Sequence, residues 1–211
     1  MKEYPILFTG DMVRANRAGK KRMTRRVIKD PLDKTGGQSC IEHAENEPDE
    51  LIHVHNPKCG GCCDYVCSYP CPYGKPGDRI WVRETWTLDD EGKVIYRADV
   101  DKEGYSPSGS FVGGLRFRPS IHMPRKFCRD VYTVTGVRIE RLWGITEEDA
   151  MAEGCRRGDQ YFGENSSRAM SARQSFMWLW QIMYDNNPAV AWITNPWVWV
   201  VEYDNPLWEV V

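Results

Sequence analysis

Regular structure becomes readable at residues 75–86, which read Lys75-Pro76-Gly77-Asp78-Arg79-Ile80-Trp81-Val82-Arg83-Glu84-Thr85-Trp86. Proline followed by glycine predicts a type II turn, because glycine accepts the positive φ that this turn requires. The alternation after the turn predicts a strand over residues 79–86. One face of that strand must mix charged and apolar side chains. Arg83 and Glu84 are therefore either buried ion-pair partners or residues that orient a ligand, and both interpretations stay open.

Short strands and a few helices are predicted on either side of this segment. Further strands are predicted at 4–8, 24–28, 93–97, 131–142 and 197–203, and a shorter extended segment at 115–118. Helices are predicted at 12–18, from 146 to about 153, and at 171–183. Regular β-α-β alternation is missing from this order. The pattern favours an α+β fold, a small mixed sheet or partly open barrel with helices packed at its ends.

Composition narrows the class of protein. The chain has 211 residues, 41% of them hydrophobic, with a formal net charge of −2. It is long and apolar enough for a packed core, which excludes a disordered protein. Nucleic-acid binding would need a local basic patch rather than bulk charge. With neither a signal peptide nor a membrane-spanning run in the sequence, we expect a cytoplasmic protein that makes no membrane contact.

Residues 30–72 have the composition of an insertion, rich in Gly, Pro, Asn and acidic residues, and five cysteines fall within 59–71. In a reducing compartment this density favours a metal over disulfides. The set Cys59, Cys62, Cys67 and Cys71 predicts a structural zinc knuckle that staples the insertion. Cys63 gives an alternative register, and His53 or His55 is an alternative ligand. Unligated thiols are the other interpretation.

Basic residues cluster after the first helix. Eight cations and no acid lie within residues 14–29: Arg14, Arg17, Lys20, Lys21, Arg22, Arg25, Arg26 and Lys29. Lysine and arginine are suited to phosphate, so this segment is a candidate site for a nucleotide or a nucleic-acid backbone. A solvated face paired with the acidic residues at 42–50 is the alternative. Thr24 sits between cations, where a lysine amine can have a lowered pKa and act as a base.

Acidic residues crowd the helix predicted from residue 146. Glu147, Glu148 and Asp149 are explained by the helix N-terminus. Glu153 is not, because a carboxylate at the opposite end is mildly unfavourable. Either exposure tolerates Glu153 or a cation such as Lys21 faces it. His122 lies away from any partner in sequence, and a structural role is favoured over a catalytic one.

Six motifs resemble the phage and prophage ASCH-domain proteins, and the resemblance spans nearly the whole chain outside the insertion. They are PILF at 5–8, GKKRMTRR at 19–26, CPYGKPGD at 71–78, WVRETW at 81–86, RPSIHMP at 118–124 and NPWVWV at 195–200. The resemblance implies a PUA-like fold, a small mixed β-barrel with flanking helices. We therefore expect one domain over residues 1–211, with the insertion at 30–72 and the knuckle at 59–71.

The same resemblance implies a site. Members of this family that hydrolyse N(4)-acetylcytidine use a lysine, a threonine and a glutamate, which match Lys21, Thr24 and Glu153 here. This chain departs from them in its length, in its Cys-rich insertion, and in Arg22 where those enzymes have threonine. The site residues expected to bind substrate are Arg25, Arg26, Arg83 and Glu84.

Two function classes follow from these residues. The first is an amidohydrolase that recognises a nucleobase or nucleotide and acts on an acylated exocyclic amine, as in an N(4)-acetylcytidine-like nucleoside. The second is a non-catalytic RNA- or DNA-binding module of phage origin, in which the same cations grip a backbone and aromatic groups stack bases. The expected partner is thus a nucleoside, nucleotide or nucleic acid, in the cytoplasm of a bacterial host if a phage encodes the protein. An accessory role in phage assembly or against a host defence has no residue in its favour.

Overall fold

The computed structural model describes residues 1–28, 70–156, 170–184 and 186–207, and the backbone alone of residues 40–42, 51–55 and 66–69. Ten strands and three α-helices have the following bounds. The strands are β1 (Glu3–Leu7), β2 (Met23–Val27), β3 (Cys40–Glu42), β4 (Leu51–His55), β5 (Val66–Pro70), β6 (Arg79–Arg83), β7 (Trp86–Leu88), β8 (Val94–Tyr96), β9 (Val131–Arg141) and β10 (Trp197–Tyr203). The helices are α1 (Gly10–Arg17), α2 (Glu147–Ala152) and α3 (Ala172–Tyr184). Among the helices within these ranges, none is long and apolar enough to cross a membrane.

A five-stranded mixed sheet organises the fold, in the order β1-β6-β9-β10-β2. β1 runs parallel to β6, and the other neighbouring pairs are antiparallel. The α+β class predicted from the sequence is confirmed. The sheet does not close into the small β-barrel that the resemblance implies, because β1 and β2 lie at opposite ends of the pairing order. A side chain rather than a strand ladder connects these two edges, since Arg26 Nη2 donates to the Leu7 carbonyl at 2.6 Å.

Two apolar clusters pack against this sheet. One contains Ile6, Phe8 and Val13 with Ile80, Tyr132 and Tyr203; the other contains Leu142, Ala150, Phe176 and Trp180 with Val198 and Val200. β10 contributes to both clusters, because consecutive side chains of a strand point to opposite faces. Its alternate residues are apolar on both faces, so β10 is buried on two sides. The second cluster fixes α2 and α3 next to β2.

Two segments that the sequence predicts as extended differ in the structure, one being shorter and the other not a strand. β6 ends at Arg83, and Trp86 begins a separate hairpin in which β7 pairs with β8. The ladder breaks because the Glu84 amide donates to Met123 Sδ at 3.2 Å instead of to a strand carbonyl. Residues 115–118 form no strand, only a bridge between Arg118 and Trp86.

The interval 30–72, predicted to lack regular structure, contains a three-stranded antiparallel sheet. Its strands are β3, β4 and β5, and they pair in that order. The prediction failed because the Gly, Pro and Asn residues between these strands dominate the composition. The strands themselves are only three to five residues long.

Local signals fix the position of α1. Thr9 caps the helix, its Oγ1 accepting from the Met12 amide at 3.3 Å. Gly19 follows the helix with a φ of 66°, a conformation that favours glycine. The chain then enters β2 through Lys20, Lys21 and Arg22. Helix, cap and glycine together determine where Lys21 lies.

Gly19→Ala is expected to destabilise the protein more than Gly77→Ala. Both glycines have positive φ, so each substitution costs about 1–2 kcal/mol for backbone strain. At Gly19 an added Cβ would lie 1.7 Å from the Leu207 carbonyl oxygen, whereas nothing lies within 4 Å of one at Gly77. Overpacking of this kind adds about 1–3 kcal/mol. Urea unfolding of the two variants measures the difference, and equal losses would contradict the contact with Leu207.

Candidate functional site

A buried ion pair connects the segment before β2 to the end of α2. Lys21 Nζ lies 2.6 Å from Glu153 Oε2, and the two side chains are 1% and 4% exposed. Glu153 caps the C-terminus of α2, and the Arg22 amide donates to the Ala152 carbonyl at 2.9 Å. Because the backbone fixes both partners, the pair is held rigidly although 132 residues separate its members in sequence. The structure therefore brings Lys21 and Glu153 together.

The hydrogen bonds of Lys21 define its charge. Nζ donates to the Met23 carbonyl at 2.6 Å, to the Glu153 carbonyl at 2.9 Å and to Glu153 Oε2. Three acceptors match the three hydrogens of an ammonium group. Burial lowers the pKa of Lys21, and the Glu153 carboxylate partly offsets this effect. In the resting site Lys21 is thus a cation whose proton is held less tightly than in water.

Thr24 has a buried hydroxyl that is unsatisfied among the described residues. It lies on β2 opposite Val201, is 1% exposed, and follows Met23, whose carbonyl accepts from Lys21. Its Oγ1 is buried, and no hydrogen-bond partner for it lies in the described ranges, Lys21 included. Leaving a buried hydroxyl unpaired costs about 1–3 kcal/mol. Such a group in a native structure calls for an explanation, and a ligand or a reactive role supplies one.

The Arg25 side chain points into the protein and lies next to the Glu153 carboxylate of the Lys21–Glu153 pair. Its guanidinium donates to Glu140 Oε1 at 2.5 Å and to Asp149 Oδ2 at 2.6 Å, and Nη1 lies 3.4 Å from Glu153 Oε1. The side chain is 0% exposed. Its planar fork therefore serves three carboxylates at once. Sequence reasoning placed Arg25 among the substrate-binding residues, and the structure places it behind Glu153.

Arg138 extends this charged network toward the surface. It donates to Asp149 Oδ2 at 2.8 Å and to Glu140 Oε2 at 3.2 Å, and it also pairs with Glu202. Sequence reasoning explained Asp149 only as a helix-capping acid and did not single out Glu140. The spacing of Asp149 and Glu153, four residues apart on one helical turn, is a signal that could have indicated a shared partner.

Aromatic side chains surround the other side of the site. The Phe8 ring centroid lies 5.9 Å from Lys21 Nζ and 5.5 Å from the Arg26 guanidinium carbon. Burial raises the pKa of Tyr73 and of Tyr184, and the nearby charge of Arg26 opposes that rise in both. Arg26 is half-buried, as are both tyrosines. Arg26 and the two tyrosines are less buried than Lys21 and form the more accessible side of the site. The sequence analysis identified Arg26 as a site residue but assigned no role to Tyr73 or Tyr184.

Arg83 and Glu84 have partners elsewhere. Arg83 donates to the Ile121 carbonyl, and its guanidinium carbon lies 5.5 Å from the Trp81 ring centroid. Glu84 is 1% exposed and accepts two hydrogen bonds from Arg129, from Nε at 2.8 Å and from Nη2 at 2.9 Å. Burial raises the pKa of Glu84, and Arg129 partly offsets it. Of the two interpretations, the geometry favours a buried ion pair for Glu84.

The predicted zinc knuckle lies mostly outside the described residues. Cys59 and Cys62, with the alternative Cys63, fall in the interval 56–65, and only the backbone of Cys67 is described, on β5. Cys71 packs in the first apolar cluster and is 4% exposed. Within the described side chains, no group of three or more His, Cys, Asp or Glu is arranged to hold a metal ion. The zinc site stays a prediction.

Comparisons with protein-family models, with curated proteins and with solved structures find no match for this chain. The functional assignment therefore rests on the geometry of the Lys21 site. That site consists of the buried ion pair of Lys21 and Glu153, the unpartnered hydroxyl of Thr24 and aromatic rings near Arg26.

Proposed function

We propose that this protein is an amidohydrolase that removes an acyl group from the exocyclic amine of a nucleobase. The observation that supports it most is the unpartnered, buried hydroxyl of Thr24, directly after Met23, whose carbonyl accepts from the Lys21 amine that is paired with Glu153. A nucleophile, a group that accepts its proton, and a third group that orients the acceptor are the elements of nucleophilic catalysis. The resemblance of these three positions to those of ASCH-domain amidohydrolases agrees with this assignment.

The proposed reaction has two balanced halves. Lys21 passes a proton along its 2.6 Å bond to Glu153, which leaves a neutral amine that accepts the Thr24 proton. Thr24 Oγ1 then attacks the acyl carbonyl, the bond to the exocyclic nitrogen breaks, and Lys21 returns a proton to that nitrogen. Water hydrolyses the acyl-threonine ester, releasing the carboxylic acid and restoring the hydroxyl. Burial lowers the pKa of Lys21, which makes this proton easier to remove.

The surroundings of the pair give the other groups their roles. Arg25 holds the second oxygen of Glu153, so we assign it as a positioning residue rather than a substrate contact. The substrate enters from the side of Arg26, Tyr73 and Tyr184, where a flat base has aromatic rings to stack on. Phe8 closes the site beside Lys21.

The test is deacylation of N(4)-acetylcytidine by the full chain, with Thr24→Val as the decisive variant. Loss of the hydroxyl is expected to slow turnover by at least about 10²-fold. The same change removes a buried unpaired hydroxyl and is expected to raise the free energy of unfolding by about 1 kcal/mol. A liquid-chromatography assay for cytidine measures turnover, and urea unfolding measures stability.

Thr24→Ser is the matched control, because it keeps the hydroxyl and is expected to retain activity. A threonine that is only structural would give the opposite pattern, with Thr24→Val less stable and equally active. Wild-type protein that deacylates neither acetylcytidine nor another N-acylated nucleoside would contradict the proposed function.

A further inference from the structure

A cavity lies apart from the Lys21 site, at the end of β7 and along the segment that follows residue 115. Its volume is about 730 Å³, and its lining includes Leu88, Arg116, Phe117, Arg118 and His122. A cavity of this size falls within the range of ligand sites, which runs to about 1,000 Å³. Neither the fold nor the proposed reaction assigns it a role.

Within the part of the chain that the structure describes, no carboxylate compensates the positive charge of this cavity. Arg116, Arg118 and His122 are exposed, and no carboxylate pairs with any of them among the described residues. The lining contains no acidic residue, and the sequence has none between Glu103 and Asp130. By contrast, the more buried Arg25, Arg129 and Arg138 are all paired with acids. Arginines that lack an internal anion are placed to bind an external one.

An aromatic contact holds Arg118 in place. The guanidinium carbon of Arg118 lies 4.9 Å from the Trp86 ring centroid, and the backbones of these two residues exchange hydrogen bonds of 2.7 and 3.2 Å. Phe117 is half-buried, and the guanidinium carbon of Arg97 lies 5.5 Å from its ring centroid. Forks held against rings lose less freedom on binding than free side chains do. Phe117 also offers a ring face within the cavity.

A short chain of contacts connects this cavity to the Lys21 site. Arg83 donates to the carbonyl of Ile121, next to His122, and the Arg83 carbonyl accepts from the Phe8 amide at 3.0 Å. The Phe8 ring in turn lies beside Lys21 and Arg26. Arg83 therefore contacts both the segment that contains His122 and the residue, Phe8, that lies next to Lys21.

We infer that this cavity binds the phosphodiester backbone and one base of a single-stranded nucleic acid whose acylated base occupies the Lys21 site. Arg116 and Arg118 take phosphate oxygens, and Phe117 stacks a base. The combination of guanidinium forks with an aromatic face favours a nucleic acid over a phosphopeptide, which offers no base. The link to Lys21 rests on the proposed function, whereas the binding itself does not.

The experiment measures binding of a fluorescein-labelled ten-nucleotide cytidine RNA to wild-type protein and to the Arg116→Glu/Arg118→Glu variant. The variant is expected to bind at least tenfold more weakly, with a salt slope reduced by about 1.4, which corresponds to two lost phosphate contacts. Its turnover of free N(4)-acetylcytidine is expected to equal that of the wild type. The control variant is Lys75→Glu/Arg79→Glu, which reverses the same number of charges near the start of β6, away from the cavity. Its RNA affinity should stay within about twofold of the wild-type value.

The possible outcomes separate the two proposals. Weakened RNA binding in the cavity variant supports the cavity assignment even if no nucleoside is deacylated, in which case only the proposed function fails. Unchanged binding in that variant, or an equal loss in the control pair, overturns the assignment. An abasic strand or a phosphopeptide that binds as tightly as the RNA overturns it as well, since Phe117 would then stack no base.

Discussion

Lys21→Met is expected to lower the free energy of unfolding by about 3–5 kcal/mol, because it leaves a buried carboxylate without its cation. Glu153 would keep only Arg25, at 3.4 Å, and two carbonyl groups would lose their donor. Methionine is similar to lysine in volume and flexibility. The change therefore removes a charge and its hydrogen bonds while the space stays filled. Guanidinium unfolding followed by tryptophan fluorescence measures the loss.

Lys21→Met combined with Glu153→Gln is the control. With the carboxylate neutralised as well, the double variant is expected to recover about 1–3 kcal/mol relative to the sum of the single changes. Additive losses would show that the two residues do not interact in solution. A loss below about 1 kcal/mol in Lys21→Met would indicate a solvated pair.

Lys21→Met is also expected to remove a pH dependence of the free energy of unfolding. Burial gives Lys21 a lower pKa in the folded protein than its ordinary 10.5, so the unfolded chain binds this proton more tightly. Stability from this group therefore rises with pH between the lowered pKa and 10.5. Lys21→Met is expected to lack that rise, which unfolding midpoints at a series of alkaline pH values would show.

The sequence indicated part of this site for a physical reason. A carboxylate at a helix C-terminus is unfavourable unless a cation faces it, and Glu153 in that position pointed toward Lys21. The partners of Arg25 were not predictable in the same way. Glu140 and Asp149 lie 115 and 124 residues from Arg25. The pairing of β9 and β2 with β10 brings Glu140 to Arg25, whereas the packing of α2 against β2 in the second apolar cluster brings Asp149 there.

The fold shows a similar division. β9 was predictable because its alternating apolar residues mark one buried face, and β10 because it is a continuous run of aromatic and valine residues. Whether the sheet closes is set by the partners of its edge strands, β1 and β2, and no local pattern encodes that. Arg26 occupies the gap between these strands by bonding to Leu7, so a residue interpreted only as a ligand contact also has a structural role.

Arg25→Ala is expected to cost about 3–5 kcal/mol of unfolding free energy and to be the most damaging substitution on β2. It would leave Glu140, Asp149 and Glu153 without the one fork that reaches all three. Arg25→Lys keeps the charge but cannot bridge three carboxylates, so it should recover only part of the loss. Thermal and urea unfolding of both variants provide the measurement.

Arg138→Ala is the matched control, because Arg138 shares Glu140 and Asp149 with Arg25 but has a side chain that is 30% exposed. Water can replace much of the stabilisation that Arg138 provides, so Arg138→Ala should lower the free energy of unfolding by about 1 kcal/mol. If the two alanine variants are equally stable, burial of Arg25 does not determine its contribution to the free energy of unfolding.

The activity of the Arg25 variants tests the positioning role of Arg25. The expected effect is that folded Arg25→Ala deacylates N(4)-acetylcytidine more slowly and with a displaced pH profile. If Arg25→Lys then restores that profile in part, Arg25 acts by positioning Glu153. A merely structural arginine would leave that pH profile unchanged.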